Sequence, residues 1–332
     1  VYQFAENENF FWGTHVDALA KASGISGQYD HVSLADFILN DTITFPYTAY
    51  IKIRQCHPAA STALTITEKG VFLNNPEVYW LPLEKDPYQK IEDAAQDLRE
   101  GLQEFIQNVT DGMDEVAQFI SAGEDSRAIA GLIPHELKRD AFIFLDRMNR
   151  EGRIARKVAA AYHANFHPAF RNQTHYLDIL DEASDMVGSG HQYIHAHSLG
   201  FHKSCNLTRY PAVFGGYLAD SLLKASYCRK VRGLSRFPFL PEIGLSGETR
   251  SKKSKTMAID QKTLLTIDER RMAHLTKIKS FRPVTCHEWF VLWPATMRKA
   301  MPNLYFNRRL FRSYEPMMCA STVKVSSAVP TH

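Results

Sequence analysis

The stretch Phe119-Ile120-Ser121-Ala122-Gly123-Glu124-Asp125-Ser126-Arg127 reads as a buried strand end, a tight polar loop and a helix start in immediate succession. That is the geometry of a phosphate cradle. Small residues at 121 to 123 let backbone N–H groups approach an anion, Ser126 is placed to cap the helix through Ala128, Ile129 and Leu132, and the helix dipole adds positive potential. Asp125 repels a phosphate unless a divalent cation lies between them, so the loop predicts Mg²⁺ held jointly by the protein and a polyphosphate. The commoner phosphate loop, Gly, four residues, then Gly-Lys-Ser/Thr, does not occur in the chain. Taken alone, the six residues also fit a serine-capped helix that follows a strand.

Ser121 to Ser126 resembles the Ser-Gly-Gly-x-Asp-Ser loop of the asparagine synthetase family, enzymes that split ATP into AMP and pyrophosphate, with Ala122 in place of the first Gly. A second signature, Ala212 to Leu223 (AVFGGYLADSLL), again runs an apolar strand end into glycines and then an acid. It is similar to the family segment Ser-Gly, acid, Gly-Ala-Asp-Glu-Leu-Phe, and so places Asp220 on the second metal-binding Asp. The resemblance implies that Asp125 and Asp220 share one Mg²⁺ with ATP. It also implies that Ser121, Gly123, Asp125 and Ser126 hold phosphates, with Glu124 in the same ATP-binding loop, while Ile120, Phe144, Gly215 and Gly216 line adenine and ribose.

Tyr217 stands where asparagine synthetases carry Glu, which resembles the β-lactam synthetase branch, where a Tyr helps deprotonate an amine already present in the substrate. Free Tyr titrates near 10 and needs an acidic or cationic neighbour to act as a base, and Glu248 has the approximate spacing for one. A Tyr whose ring packs and whose hydroxyl finds a hydrogen bond fits the position as well. Arg308 to Pro316 (RRLFRSYEP) corresponds to the stretch before the family's Pro-Phe-Leu-Asp, with Met317-Met318-Cys319 replacing Phe-Leu-Asp. No Lys stands where the family stabilises the charge developing between acyl group and AMP. Arg308, Arg309 and Arg312 are the replacements this implies, with ordinary surface arginines as the alternative.

The fold class follows from element order. Apolar positions Ile91, Ala94, Ala95, Leu98, Leu102, Phe105, Ile106 and Val109 mark one face of a long helix between Asp86 and Val109. After the loop helix, Pro134 breaks the run, Ala141 to Leu145 reads as a second buried strand, and Gly152 to Tyr162 as a helix. Strand, loop, helix, strand, helix at this spacing predicts an α/β domain with a parallel sheet flanked by helices, which binds ligands at the carboxyl ends of its strands. Residues 1–83 read as a smaller β-rich lobe, with extended segments at Tyr2 to Phe4, Phe10 to Trp12, Tyr50 to Arg54, Ala63 to Thr67, Gly70 to Leu73 and Val78 to Leu81, and a helix over Val16 to Ala22. Within it, Leu34 to Leu39, Phe45 to Thr48 and Tyr79 to Pro82 look like the closing segments of the family's glutaminase domain. The expected division is a glutaminase-like remnant over 1–83 and an ATP-pyrophosphatase domain over 84–332, with helical segments around Leu264 to Ile278 and Trp289 to Arg298.

At 332 residues, 45% hydrophobic and 23% charged, the chain has the composition of an ordinary two-domain globular protein. A net charge of +3 points to neither nucleic acid nor membrane as partner, although Arg250 to Lys255 is locally basic. No apolar run reaches a membrane span and no signal peptide opens the chain, so a cytoplasmic location is expected. The five cysteines form no Cys-x-x-Cys pair, as reduced thiols would be arranged. His191 and His195 are spaced for one helical face, but no acid or Cys completes a zinc set. Leu245 to Ala258 reads as a solvated loop, or more sharply as a lid over pyrophosphate.

Together these features predict an ATP-dependent amide synthetase that adenylates a small-molecule or peptide carboxylate and passes the acyl group to ammonia or an amine. Family glutaminases use an N-terminal Cys, and Val1 supplies no nucleophile, so no glutamine hydrolysis is expected; a separate glutaminase chain or an upstream segment stays open. The lack of an initiating Met fits a trimmed or incomplete chain. Two alternatives stand beside this reading: an intramolecular lactam- or lasso-type cyclase, favoured by Tyr217, and a degenerate nucleotide-binding scaffold, favoured by Ala122, the missing Lys and Cys319.

Overall fold

A computed structural model of the chain describes residues 1–6, 9–68, 70–85, 87–224, 259–298 and 301–328. Strand β1 (Tyr2–Glu6) pairs antiparallel with β2 (Asn9–Gly13) and with β3 (Arg54–Gln55), so the segment expected to be extended from Tyr50 is strand only at its end. Between them lie α1 (Val16–Ala22) and α2 (His31–Asn40), the latter started by the Asp30 carboxylate accepting from the Val32 and Ser33 amides. Two small hairpin pairs follow, β4 (Ala60–Ser61) with β7 (Glu77–Val78) and β5 (Leu64–Thr67) with β6 (Gly70–Leu73).

Helix α3 (Ile91–Thr110) starts at Ile91, so residues 87–90 lie outside the expected helix, and delivers the chain to β8 (Glu115–Phe119). Then come α4 (Glu124–Leu132), β9 (Lys138–Leu145), α5 (Arg150–Ala161), β10 (Asn165–Phe170), α6 (His175–Asp178), α7 (Leu180–Val187) and α8 (Phe201–Ser204). The remaining elements are β11 (Val213–Phe214), α9 (Ala219–Leu223), α10 (Gln261–Phe281), α11 (Cys286–Trp289), α12 (Met301–Leu310), β12 (Ser313–Tyr314) and α13 (Ala320–Ala328). Trp289 to Arg298, expected as helix, is the end of α11 followed by turns and a 3₁₀ turn over Ala295–Met297.

Five strands in the order β10-β9-β8-β11-β12 form one parallel sheet, as the element order predicted. The sheet is covered on both faces because its strands alternate two apolar sets. On one face Val116 and Phe214 pack with Leu102 and Ile106 of α3, Ile129 of α4 and Met317; on the other Ala117, Phe142 and Val213 pack with Leu207, Tyr210 and Phe311. Helices α3 and α13 cross closely, since a Cβ at Gly101 would overlap the Ser321 side chain. The N-terminal sheets are separate from this one, yet α2 lies on α10: Asp36 pairs with Arg271 at 3.4 Å and Asp30 with Arg270 at 2.8 Å, beside Ala35, Leu39 and Ile267. No helix of the described residues is long and apolar enough to cross a membrane.

Candidate active site

The site is built at the carboxyl ends of β8, β11 and β12. Past Phe119 the chain turns through Ser121 and Gly123, and Gly123 is the extended residue that precedes α4. Ser126 does not cap that helix, contrary to the sequence expectation. It lies inside the first turn, and its hydroxyl folds back over the loop, accepting from the Ser121 amide at 3.1 Å and donating to the Gly123 carbonyl at 3.2 Å. The Gly123 amide in turn donates to Ser121 Oγ at 3.0 Å. The two serines therefore shape the loop, and no side chain caps the start of α4, which leaves its dipole and first amides for an anion.

Strand β11 lies next to β8, with Phe214 opposite Gln118, so the two signatures emerge side by side. Gly216 passes so close to the loop helix that a Cβ there would stand 3.6 Å from Asp125 Cβ. The carboxylates of Asp125 and Asp220 converge on one cation: Lys224 Nζ lies 3.0 Å from Asp125 Oδ2 and 2.9 Å from Asp220 Oδ1. The Asp220 and Asp125 bonds, in that order, raise the Lys224 ammonium above its ordinary range. An ammonium held by two converging carboxylates occupies the kind of place a hard divalent cation takes, so the donor set fits Mg²⁺. Among the described residues no group of three or more His, Cys, Asp or Glu side chains gathers as a metal site, and phosphate oxygens would have to supply further ligands.

A solved structure is similar at low score. The NH3-dependent NAD synthetase from Campylobacter jejuni subsp. jejuni NCTC 11168, in complex with the nitrate ion, matches with 12% sequence identity over 64% of this chain and 96% of its own, at a TM-score of 0.30. No family model and no curated protein matches the sequence.

A cleft of about 470 Å³ opens over these strand ends. Ile120, Ser121, Asp125 and Ser126 line it from the loop, Gly215, Gly216, Tyr217 and Asp220 from the second signature, and Phe142, Ile143 and Phe144 from β9. Phe144 stacks on Phe201 with ring centroids 4.3 Å apart, which makes that wall flat and aromatic. Tyr217 sits with its ring against Leu218, Met301 and Leu304, and the Arg298 guanidinium lies 5.2 Å from the ring centroid. Gly123 and Glu124 belong to the loop but are exposed, and neither is among the residues that line the cleft.

Sequence reasoning missed Glu315, Arg171, His197 and Lys224. Glu315 follows β12 directly and is 4% exposed; its Oε2 accepts from the Tyr217 amide at 2.9 Å. Burial pushes its carboxyl up to about 7, against the opposing hydrogen bonds of Tyr217 and Ser313. The position of an acid at the carboxyl end of a strand was the available signal, hidden by how short β12 is. Arg171, at the end of β10, lines the cleft while bonding Asp146 at 2.8 Å and the Tyr176 hydroxyl at 3.1 Å. His197 bonds the same hydroxyl at 2.9 Å, and burial lowers its imidazole to about 4, so it is neutral at pH 7.

None of the three arginines expected to stabilise charge lines the cleft, although the Arg308 charge acts on Glu315. Arg309 donates to the carbonyls of Met186 and Thr14, the latter at 3.0 Å, turning its guanidinium toward the N-terminal sheet. Arg312 precedes β12, is exposed and lines a separate cavity with Arg308 and Thr208, at the opposite end of the strand from the cleft. Among the described residues, Arg171 lines the cleft and Lys224 reaches it through Asp125. Glu248, named as the partner of Tyr217, and the basic segment 245–258 lie outside the described residues. His191 and His195 do not share an α-helical face, since Tyr193–His195 is a 3₁₀ turn, and His191 Nε2 is bonded to the Tyr2 hydroxyl at 3.0 Å.

Proposed function

We propose that the chain is an ATP-dependent amide synthetase that adenylates a carboxylic acid and transfers the acyl group to ammonia or an amine, as the resemblance to the asparagine synthetase family implies. The observation that carries this reading is the convergence of Asp125 and Asp220, from two neighbouring strand ends, on a single cation beside an uncapped helix start. ATP is a substrate here. Ser121 and Ser126 hold the loop in shape for its phosphates, the amides at the start of α4 face them, and the aromatic wall at Phe144 suits the adenine ring. Mg²⁺ held by Asp125 and Asp220 would neutralise charge on the departing pyrophosphate.

The acid's carboxylate oxygen attacks the α-phosphorus of ATP and pyrophosphate leaves. An amine nitrogen then attacks the acyl carbon, the bond to AMP breaks and the amine loses a proton. Tyr217 lies on the cleft wall as the base candidate for that loss, with the Arg298 guanidinium 5.2 Å from its ring centroid. Arg171 is the cation on the opposite wall and is placed for the acyl phosphate. The division into a lobe over 1–83 and a synthetase domain over 84–332 belongs to the same proposal. A screen of carboxylic acids for pyrophosphate release, with and without ammonia, tests it: release that requires an acid and Mg²⁺ is expected, and Mg²⁺-dependent ATP binding without release under every condition would instead select a nucleotide-binding scaffold.

A further inference from the structure

Glu315 stands out as a buried carboxylate lining the cleft, with the Arg308 guanidinium acting on it from beyond ion-pair distance. Among the described residues no Lys, Arg or His forms an ion pair with it; Oε2 takes the Tyr217 amide at 2.9 Å and Oε1 only the Ser313 hydroxyl at 3.4 Å. Its place is prepared by the neighbouring strand. A Cβ at Gly215 would lie 2.8 Å from Glu315 Cδ, so the glycine is what lets the carboxylate rest on the cleft floor. Burial raises its carboxyl to about 7, so near neutrality it is only partly ionised, and a cation arriving in the cleft would favour the charged form.

The surroundings of that carboxylate bear on which cation it would take. A divalent cation wants several hard oxygens, and no third acid joins Glu315. A primary ammonium asks for less: it is a compact monocation with three donors, one of which can meet Oε1 while the others remain for water or neighbouring hydroxyls.

We propose that Glu315 is the docking point for the primary amino group of an amine substrate, held on the floor made by Gly215. This deepens the amide-synthetase reading and rests on it for the role of the amine, whereas the binding itself can be measured without turnover. With its carboxyl raised to about 7, Glu315 is the acid in the cleft with most to gain from an arriving cation.

The test is calorimetric titration of the full chain with n-butylammonium chloride, and with n-pentanol as a neutral analogue of similar size. Saturable binding of the ammonium, at least about 10-fold tighter than the alcohol, is expected for the natural chain. Glu315→Gln should weaken ammonium binding at least about 10-fold, and Glu315→Asp, which keeps the charge, should keep the preference over the alcohol. No saturable ammonium binding, equal binding of the alcohol, or undiminished binding by a folded Glu315→Gln chain each overturns the proposal. Should Glu315→Gln not fold, the natural chain and Glu315→Asp still decide. A fluorescent ATP analogue, titrated in parallel, reports on the nucleotide half: its failure to bind while ammonium binding holds would count against the synthetase reading and not against Glu315.

Discussion

Glu315 ties stability to pH in a direction opposite to most carboxylates. Its folded value near 7 lies above the ordinary 4.5, so the native chain binds its proton more tightly than the unfolded chain, and stability falls as pH rises from about 4.5 to 7. At about 1.4 kcal/mol per unit the full swing is about 3 kcal/mol. Glu315→Gln should therefore shrink the loss of unfolding free energy between pH 5 and pH 8 by about that amount in denaturant titrations, and an unchanged pH profile would contradict the burial account. Substitutions at two other side chains would separate the proposed metal binding from the proposed amine chemistry. Asp125→Asn removes charge without size and should abolish exchange of labelled pyrophosphate into ATP. Tyr217→Phe should retain exchange while amide formation drops about 10²- to 10⁴-fold; loss of both activities in Tyr217→Phe would assign Tyr217 to the ATP side. Asp125 and Asp220 were legible in the sequence because each sits at a fixed offset from a strand end and small residues. The placements of Arg309, turned from α12 to the Met186 and Thr14 carbonyls, and of Arg312, just before a two-residue strand, could not be read from residue type and approximate position.

At the level of elements, the pairing of β11 with β12 depends on one missing side chain. Gly215 invited a nucleotide-facing reading, whereas the structure uses its lack of a Cβ to seat the Glu315 carboxylate carried by the adjacent strand. Gly215→Ala should cost about 1–3 kcal/mol of stability through overpacking, and a second change, Glu315→Ala, should recover most of it. Additive losses in the double-mutant cycle would mean that the two do not meet. Long elements with strong periodicity, α3, β9 and α5, were found from the sequence to within a few residues. Strand β10 escaped notice because His167 and Pro168 interrupt it, which an edge strand tolerates. For β11 the glycines and the following acid marked its end better than any propensity, two residues being too few to carry a pattern.

For the molecule as a whole, residues 1–83 carry their own sheets but share their packing with the far end of the chain. Phe45 belongs to the cluster of Leu275, Trp289 and Phe290, and Ala35 and Leu39 close over Ile267. Arg271, 2% exposed, faces the equally buried Asp36. Asp36→Ala would strip that guanidinium of its carboxylate, at an expected cost of about 3–5 kcal/mol in unfolding experiments, and a chain beginning at residue 84 should expose the α10 face and lose solubility. A soluble, cooperatively folded 84–332 fragment would show the contact to be dispensable. Sequence composition suggested the boundary; it could not show this contact, because the partners lie some 235 residues apart and neither segment looks unusual on its own.

If Mg²⁺ binds as proposed, the ammonium of Lys224 turns its entry into ion exchange. Each divalent ion that settles between Asp125 and Asp220 has to evict a tethered monovalent one, so the cleft gains one positive charge at that point rather than two. The tether keeps its occupant at high local concentration, and the Mg²⁺ needed for half-saturation is set by this competition as well as by the carboxylates. Lys224→Met should bind nucleotide at several-fold lower Mg²⁺, as read from titration of a fluorescent ATP analogue. Where no metal is bound, the same lysine offsets the repulsion between the two neighbouring carboxylates.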